Sequence, residues 1–297
     1  MSSRYRVAAY VSTLLTVLIW GTTFISTKVL LNDFNPLDIL FTRFLIGYVV
    51  LWMVYPRVVE FRTWRIEVLF ILAGFCGVTL YFLLENIALT YTYASNVGII
   101  ASTAPFFTAI LAHFFLKNER INPSFIIGFI IAIFGISLIT FNGSFTLKLN
   151  PLGDLLAVLA CICWAVYSIA MRKISELGYP SIGSTRRVFF YGLLLMAPAF
   201  LFLDFQLNLQ LIVEGRNLFN ILYLGLGASA LCFVTWGWSV GVLGAVKTSS
   251  YIYLVPVVTV TGSSFFLNEK ITSTALLGVL LTIVGLFVSE KRVKIKK

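Results

Sequence analysis

Charge is scarce in this sequence, because Asp, Glu, Lys and Arg together make up only 11% of its 297 residues. Soluble domains carry about 25% charged residues, so an ordinary soluble domain is excluded. The apolar residues fill runs of helical length and do not alternate as they do in exposed strands. A helix needs roughly 20 such residues to span a bilayer. The sequence therefore predicts an all-α membrane protein.

Chemically versatile side chains are also few. His113 is the only histidine, and the four cysteines lie inside apolar runs. Cys161 and Cys163 are two positions apart and point to different faces of a helix, so they are poorly placed to share a metal ion. A phosphate-binding loop of the G-x4-G-K-[S/T] type is absent. We expect no metal site, no disulfide framework, no cofactor and no catalytic activity.

The net charge of +10 raises the question of a nucleic-acid partner. Much of the excess lies after the last apolar run, in a terminal cluster made of Lys291, Arg292, Lys294, Lys296 and Lys297. Basic residues in this position hold a helix end at the cytoplasmic surface and attract anionic lipid. We therefore expect membrane lipid as a partner and no nucleic acid.

Turn and charge signals divide the chain into ten apolar segments joined by short connections. Lys and Arg concentrate at one set of segment ends, and such positive ends face the cytoplasm. The run that follows Arg4 and Arg6 is too long for a signal peptide and is interpreted as the first retained span. Both termini are predicted to be cytoplasmic, in a multi-pass protein of the cell membrane. The predicted spans are 8–30, 37–55, 67–89, 94–116, 123–141, 152–171, 182–203, 219–240, 245–267 and 273–289.

The two halves of the sequence resemble each other. The tetrapeptide Asn118-Glu119-Arg120-Ile121 is echoed 150 residues later by Asn268-Glu269-Lys270-Ile271. A unit of five spans is odd in number, so its second copy starts on the opposite side of the membrane. Inverted repeats of this kind occur in many secondary transporters. Further matches, at offsets of 144 to 151 residues, are Gly128 with Gly278, Gly135 with Gly285, Pro105 with Pro256, Trp20 with Trp164 and Lys28 with Arg172.

This duplicated unit resembles the EamA-type repeat of the drug/metabolite transporter superfamily. The resemblance rests on a proline-containing helix that ends in Asn-Glu-Arg/Lys-Ile and is followed by Gly-x6-Gly. It covers about residues 14–142 and 152–289, within a first repeat at 1–146 and a second, inverted repeat at 147–297. The resemblance implies ten helices, cytoplasmic termini, a central cavity between the repeats, and transport of small metabolites, often export of amino acids.

Glu85 is the leading candidate for a substrate-binding residue. It lies deep in an apolar run, where a carboxylate is costly and usually faces a bundle interior or a wet cavity. Tyr81 precedes it by one helical turn and shares its face, and the repeat aligns Glu85 with Trp236, which we expect opposite. The alternative is a structural role, as an interfacial residue or in an ion pair with Lys28, Arg43 or Arg187.

The remaining site candidates are aromatic or polar. Trp20 and Trp164 lie near the middle of matched spans, where they either hold a ligand or pack helices together. Asn96 and Tyr251 are weaker substrate-binding candidates, and Pro105 and Pro256 are predicted mid-helix kinks that act as hinges. Snorkelling to the membrane interface is the preferred interpretation of Arg43, Arg186 and Arg187.

The sequence thus predicts a secondary transporter that moves a small-molecule substrate by alternating access. Export of an amino acid or a similar metabolite is the first expectation, and uptake of a small organic cation such as a quaternary amine is the alternative. A membrane enzyme and a channel or lipid scramblase are weaker competitors. The Gly237–Gly241 GxxxG is interpreted as internal packing in a monomer, with a homodimer contact as the alternative.

Overall fold

The computed structural model describes residues 3–91, 94–117, 119–141, 150–202, 205–206, 208–267 and 272–291. Within these ranges, the side chains at 24–25, 28, 89–90, 94–96 and 263–267 lie outside the description. The described residues form helices joined by short connections, with no strand among them.

The first half of the chain begins its helices with recognisable caps. Asn35 and Asp38 form a capping box at the start of the second helix, with Pro36 at its first position, and the Thr63 side chain accepts from the Ile66 amide at the start of the third. A π-helical turn, Phe75–Leu80, joins the third helix to the fourth. The helices are α1 Ser3–Leu30, α2 Pro36–Val54, α3 Trp64–Gly74, α4 Tyr81–Tyr91, α5 Ala94–Ala101, α6 Ala104–Phe115 and α7 Pro123–Phe141.

The second half repeats this order, with one additional short helix, α10. A 3-10 turn, Ala197–Leu201, follows α9, a π-helical turn, Tyr223–Leu231, joins α11 to α12, and a second 3-10 turn, Tyr251–Tyr253, joins α13 to α14. The helices are α8 Pro151–Glu176, α9 Ser181–Met196, α10 Leu209–Val213, α11 Gly215–Leu222, α12 Cys232–Leu243, α13 Ala245–Ser250, α14 Leu254–Leu267 and α15 Ser273–Glu290.

The helices define a multi-pass membrane protein. In the described part of the chain, seven helical stretches are long and apolar enough to cross a bilayer. Helices also lie at the other predicted segments, but that all ten cross the membrane stays a prediction. The seven stretches are Pro36–Val54, Trp64–Ala88, Val97–Phe115, Pro123–Phe141, Pro151–Glu176, Gly215–Leu243 and Ser273–Glu290.

The sequence predicted kinks at Pro105 and Pro256, and the structure places each proline just after a break between two helices. That these breaks act as hinges stays a prediction. The helix breaks before Pro105, between α5 and α6, so this proline lies in the first turn of α6. An amide in the first turn has no intrahelical partner, so the missing N–H breaks no helical hydrogen bond there. Ser102 and Thr103 fill the break and donate to the carbonyls of Gly98 and Ile100 at 2.9 and 2.6 Å. Pro256 likewise lies at the third position of α14, directly after the 3-10 turn.

The Gly-x6-Gly motifs of the two halves pack against each other. They lie on α7 and α15, whose backbones approach so closely that a Cβ on Gly135 would lie 2.7 Å from the Gly278 carbonyl oxygen. A Cβ on Gly285 would likewise lie 2.7 Å from the Gly128 carbonyl oxygen. The motif therefore serves close helix packing between the halves. The centre of the molecule is occupied by α8, the most buried of the seven apolar stretches.

Candidate functional site

Three tryptophans from three helices meet in the middle of the molecule. The ring centroid of Trp20 on α1 lies 5.4 Å from that of Trp164 on α8 and 5.0 Å from that of Trp236 on α12. Trp164 and Trp236 are themselves 5.9 Å apart. The Trp20 indole N–H donates to the Ala228 carbonyl at 3.0 Å. With Tyr81, described next, we call these three rings the aromatic site.

Two of these tryptophans carry unused hydrogen-bond donors. Trp164 is 5% exposed and Trp236 is fully buried, yet the indole Nε1 of each has no partner among the described atoms. A buried donor without a partner costs about 1–3 kcal/mol. Both N–H groups could therefore donate to an acceptor that reaches them.

Tyr81 and Glu85 extend the aromatic site along α4. The Tyr81 ring lies 5.3 Å from that of Trp164, and its hydroxyl donates to Glu85 Oε1 at 3.1 Å. Tyr81 is the first residue of α4 and directly follows the π-helical turn. Such turns are often found at functional sites. We expected Trp236 opposite Glu85, and in the structure the two are connected through Trp164 and Tyr81.

Arg43 does not snorkel to the interface, as the sequence had suggested, but is buried among the helices. It is only 8% exposed, and its Nε donates to the Ser229 hydroxyl at 2.9 Å. Its guanidinium carbon lies 5.3 Å from the ring centroids of both Phe44 and Phe82. It also attracts the Glu85 carboxylate electrostatically. The high cost of an intramembrane arginine was the signal that could have identified it.

Of the two proposed counter-ions of Glu85 whose side chains are described, Arg43 is the one that interacts with it electrostatically. Arg187 lies at the start of α9 and pairs with Glu67, at 3.1 Å between Nε and Oε1. It also donates to the Glu60 carbonyl, while Arg186 donates to the carbonyls of Tyr55 and Arg57. These two arginines therefore fasten the connection between α2 and α3. The Lys28 side chain lies outside the description.

Tyr251 lies in a different cluster from the tryptophans. Its ring centroid is 6.1 Å from that of Tyr10, and it interacts electrostatically with Glu290 at the end of α15. The Asn96 side chain lies outside the described residues, so its predicted role stays a prediction. The predicted motif at 268–271 also lies outside them.

Phe233 is a neighbour of the site that sequence reasoning missed. Its ring centroid lies 5.9 Å from that of Trp20, 6.2 Å from Trp164 and 5.7 Å from Tyr167. It precedes Trp236 by three positions and therefore shares its helix face. That spacing was an available signal, although phenylalanine is too common in this chain to be selected by type alone.

The central cavity that the resemblance implies stays a prediction. A recess of about 270 Å³ lies between the end of α1, the start of α2 and α10, and its lining includes Asp33 and Asp38. In the described part of the chain, no three His, Cys, Asp or Glu side chains come together as metal ligands would. The chemistry that the site offers is aromatic contact, two indole donors, one carboxylate and one guanidinium.

Fold and site together define a multi-pass helical membrane protein with a buried aromatic and charged centre. The chain belongs to the EamA-like transporter family, whose model matches it twice, at residues 7–141 and 151–290.

Individual relatives match over nearly their whole length. An uncharacterized transporter of Archaeoglobus fulgidus is 28% identical over 282 residues, which cover 94% of this chain and 96% of that protein. A probable amino-acid metabolite efflux pump of Escherichia coli strain K12 is 26% identical, with 93% and 92% covered. One protein of known crystal structure superposes with a TM-score of 0.78 over 98% of this chain and 97% of its own, at 20% identity. This last similarity shows the fold alone.

Proposed function

We propose that this protein is a secondary transporter with ten membrane-spanning helices, arranged as two inverted five-helix repeats at residues 1–146 and 147–297. The double match of the family model supports the repeat. So do the paired features of the two halves: a π-helical turn in the third helical run and a break before the proline of the fourth. Both termini are cytoplasmic and the protein resides in the cell membrane, as the Lys and Arg distribution supports.

The substrate is a small zwitterion, such as an amino acid or a related metabolite, which the protein exports by alternating access. The observation that carries this proposal is a pair of opposite charges in the interior: Glu85, partly buried and bonded to Tyr81 of the aromatic site, and Arg43, which is buried and attracts Glu85 electrostatically. An amine would bind the Glu85 carboxylate and a carboxylate would bind the Arg43 guanidinium. Both contacts are stronger in this low-dielectric interior than in water. The efflux pump among the relatives supports the same substrate class.

Uptake of a small organic cation is the second candidate. Three tryptophans and one carboxylate form a suitable surface for a quaternary amine, through cation–π contact and charge pairing. Arg43 weighs against it, because a second positive charge in the same low-dielectric space would repel the cation.

A binding screen with two variants distinguishes these candidates. Purified protein is heated with a panel of amino acids, their amides, the corresponding amines and quaternary amines, since a ligand of the native state raises the melting temperature. We expect amino acids to stabilise the parent protein. Glu85→Gln should lose the stabilisation that depends on the amine, and Arg43→Gln the stabilisation that depends on the carboxylate. Arg216→Gln, which changes an exposed arginine near the start of α11, serves as a charge-matched control.

The outcomes separate the two candidates and the structural alternative. Stabilisation by quaternary amines but not by amino acids, retained in Arg43→Gln, would favour the cation transporter. Unchanged binding in both variants would assign Glu85 and Arg43 a structural role. Counterflow in inside-out and right-side-out vesicles then tests the direction of transport.

A further inference from the structure

An ionic cluster joins the two halves at the end of the molecule where both predicted termini lie. Glu119, in the connection between α6 and α7, uses both carboxylate oxygens. Oε1 lies 3.1 Å from Arg172 Nε at the end of α8, and Oε2 accepts from the Val246 amide at 2.9 Å at the start of α13. We call Glu119, Arg172 and Val246 the Glu119 junction. It connects one residue of the first half with two of the second.

Arg172 anchors the junction through further contacts within the second half. Its Nη1 donates to the Gly241 carbonyl at the end of α12, and its Nε lies 3.2 Å from Oε1 of Glu176, one turn along α8. The contact with Glu119 is an ion pair without an aligned hydrogen bond, since neither Glu119 Oε1 nor Arg172 Nε has a hydrogen-bond partner among the described atoms.

The chain is shaped to admit the Glu119 carboxylate at this point. Gly244, between α12 and α13, has φ +99, a conformation that favours glycine. A Cβ on Gly244 would lie 2.9 Å from the Glu119 carboxylate carbon. The carboxylate is thus held where it caps α13 and meets the positive end of that helix.

A second contact between the halves lies beside the first. Lys247 follows Val246 directly, and its Nζ lies 3.8 Å from Glu290 at the end of α15 and 4.8 Å from the ring centroid of Tyr10 on α1. Tyr10 belongs to the first half. The N-terminal residues of α13 are therefore held by the first half through the Glu119 carboxylate and through the Tyr10 ring.

We propose that the Glu119 junction is the cytoplasmic gate of the transporter, closed in this structure. This inference rests on the proposed function, because alternating access requires the halves to separate at the cytoplasmic end in one stage of the cycle. Separation would pull Glu119 away from Arg172 and Val246. The contact pairs two side chains that are 20% and 12% exposed, so it is shielded enough to hold and wet enough to release.

Arg172 supplies a matched control, because its two carboxylate partners differ in location. Glu119 bridges the halves, whereas Glu176 lies on the same helix and is 53% exposed. Removing either charge deprives Arg172 of one partner, but only Glu119→Gln removes a link between the halves. A fixed structural joint would lose stability on either change without opening a path.

The experiment measures access to a buried position on α13. Ser249 is fully buried, and Ser249→Cys is nearly isosteric. It is introduced into a chain whose own four cysteines are replaced, and its labelling by a membrane-impermeant maleimide is followed in inside-out vesicles. Glu119→Gln should raise the labelling rate roughly tenfold or more, since a charge-assisted contact contributes about that factor to an equilibrium. Glu176→Gln should leave the rate within about twofold.

The salt dependence of labelling tests the same gate in the Ser249→Cys protein that keeps both Glu119 and Glu176. Raising the ionic strength from about 0.01 M to 1 M shortens the Debye length from about 30 to 3 Å. Labelling of Ser249→Cys should therefore rise with salt when Glu119 is present, by less than for a fully exposed pair because the two side chains are shielded, and stay flat in Glu119→Gln. Equal rates in Glu119→Gln and Glu176→Gln, or labelling of the Glu119-containing protein that ignores salt, would overturn the gate. The labelling experiment needs no substrate. A negative result for the gate can therefore be distinguished from a failure of the proposed transport activity.

Discussion

At the scale of single residues, the central question is what Glu85 and Arg43 do for each other. In the absence of substrate they attract each other electrostatically, and each also holds a neutral partner, the Tyr81 and Ser229 hydroxyls respectively. A zwitterionic substrate would replace this mutual attraction with two separate contacts, one to each charge. In the empty site the attraction lowers the cost of burying Arg43, since an unpaired buried charge is strongly destabilising.

The ring and the indole N–H of Trp164 lead to a second prediction about single residues. Trp164→Ala should weaken ligand binding by about 2- to 30-fold, because a cation over an aromatic face contributes about 0.5–2 kcal/mol. Trp164→Phe keeps a π face but loses the N–H, and should lie between the parent and the alanine variant. Binding is measured by titration calorimetry with the amino acid that stabilises the protein most in the thermal screen.

Trp52→Ala is the control for this series. Trp52 is 37% exposed, and the Arg186 guanidinium carbon lies 4.1 Å from the centroid of its ring. Its ring is not one of those that form the aromatic site. Its loss should leave binding unchanged. If the folded fractions of the Trp164 variants bind like the parent protein, Trp164 packs helices and does not contact substrate.

At the scale of helices, the two halves use the same irregularities at matching places. Each half has a π-helical turn in its third helical run, directly before Tyr81 in one half and before Cys232 in the other. A π turn adds one residue to the turn and rotates the helix that follows it. The rotation helps to orient Tyr81 and Glu85 in the first half, and Phe233 and Trp236 in the second.

The glycine contact between α7 and α15 yields a prediction about stability. Gly135→Ala would place a Cβ 2.7 Å from the Gly278 carbonyl oxygen. Real Cβ atoms are not found so close to a backbone oxygen, so the two helices must move apart. We expect a lower melting temperature, with a loss of about 1–3 kcal/mol typical of overpacking.

Gly98→Ala is the matched control, because a Cβ on Gly98, on α5, meets no atom within 4 Å. Alanine is the better helix former, so this change should be neutral or raise stability by up to about 1 kcal/mol. Thermal denaturation in detergent compares the two variants. Equal melting temperatures for the two variants would mean that the α7–α15 contact is looser than its geometry implies.

At the scale of the whole molecule, orientation in the membrane is the property that remains to be tested. Asn32 and Gln210 are exposed near one set of helix ends, and Arg57 and Lys117 are exposed near the other. In a background without the native cysteines, Asn32→Cys and Gln210→Cys should react with an impermeant thiol reagent added to intact cells. Arg57→Cys and Lys117→Cys should react only after the membrane is opened. Labelling of all four from outside would contradict both the ten-span topology and the inverted repeat.

Local chemistry determined much of this protein. The apolar lengths of the helices and the caps at Asn35 and Thr63 follow from hydropathy and local propensity, which neighbouring residues determine together. The repeat also identified Trp20 and Trp164 as equivalent positions, and the structure adds that their rings are in contact.

Only the tertiary structure decided how each helix is rotated about its own axis. A soluble helix shows its inner face by its apolar stripe, but a helix in lipid is apolar on nearly every side, so the sequence pattern does not indicate the direction of any one residue. For this reason the sequence did not predict that Arg43 is buried against Ser229, or that Tyr251 lies with Tyr10 and not with the tryptophans. The same reason explains why Glu119 could not be paired with Arg172 and Val246 in advance: packing joins residues that lie 53 and 127 positions apart in the chain.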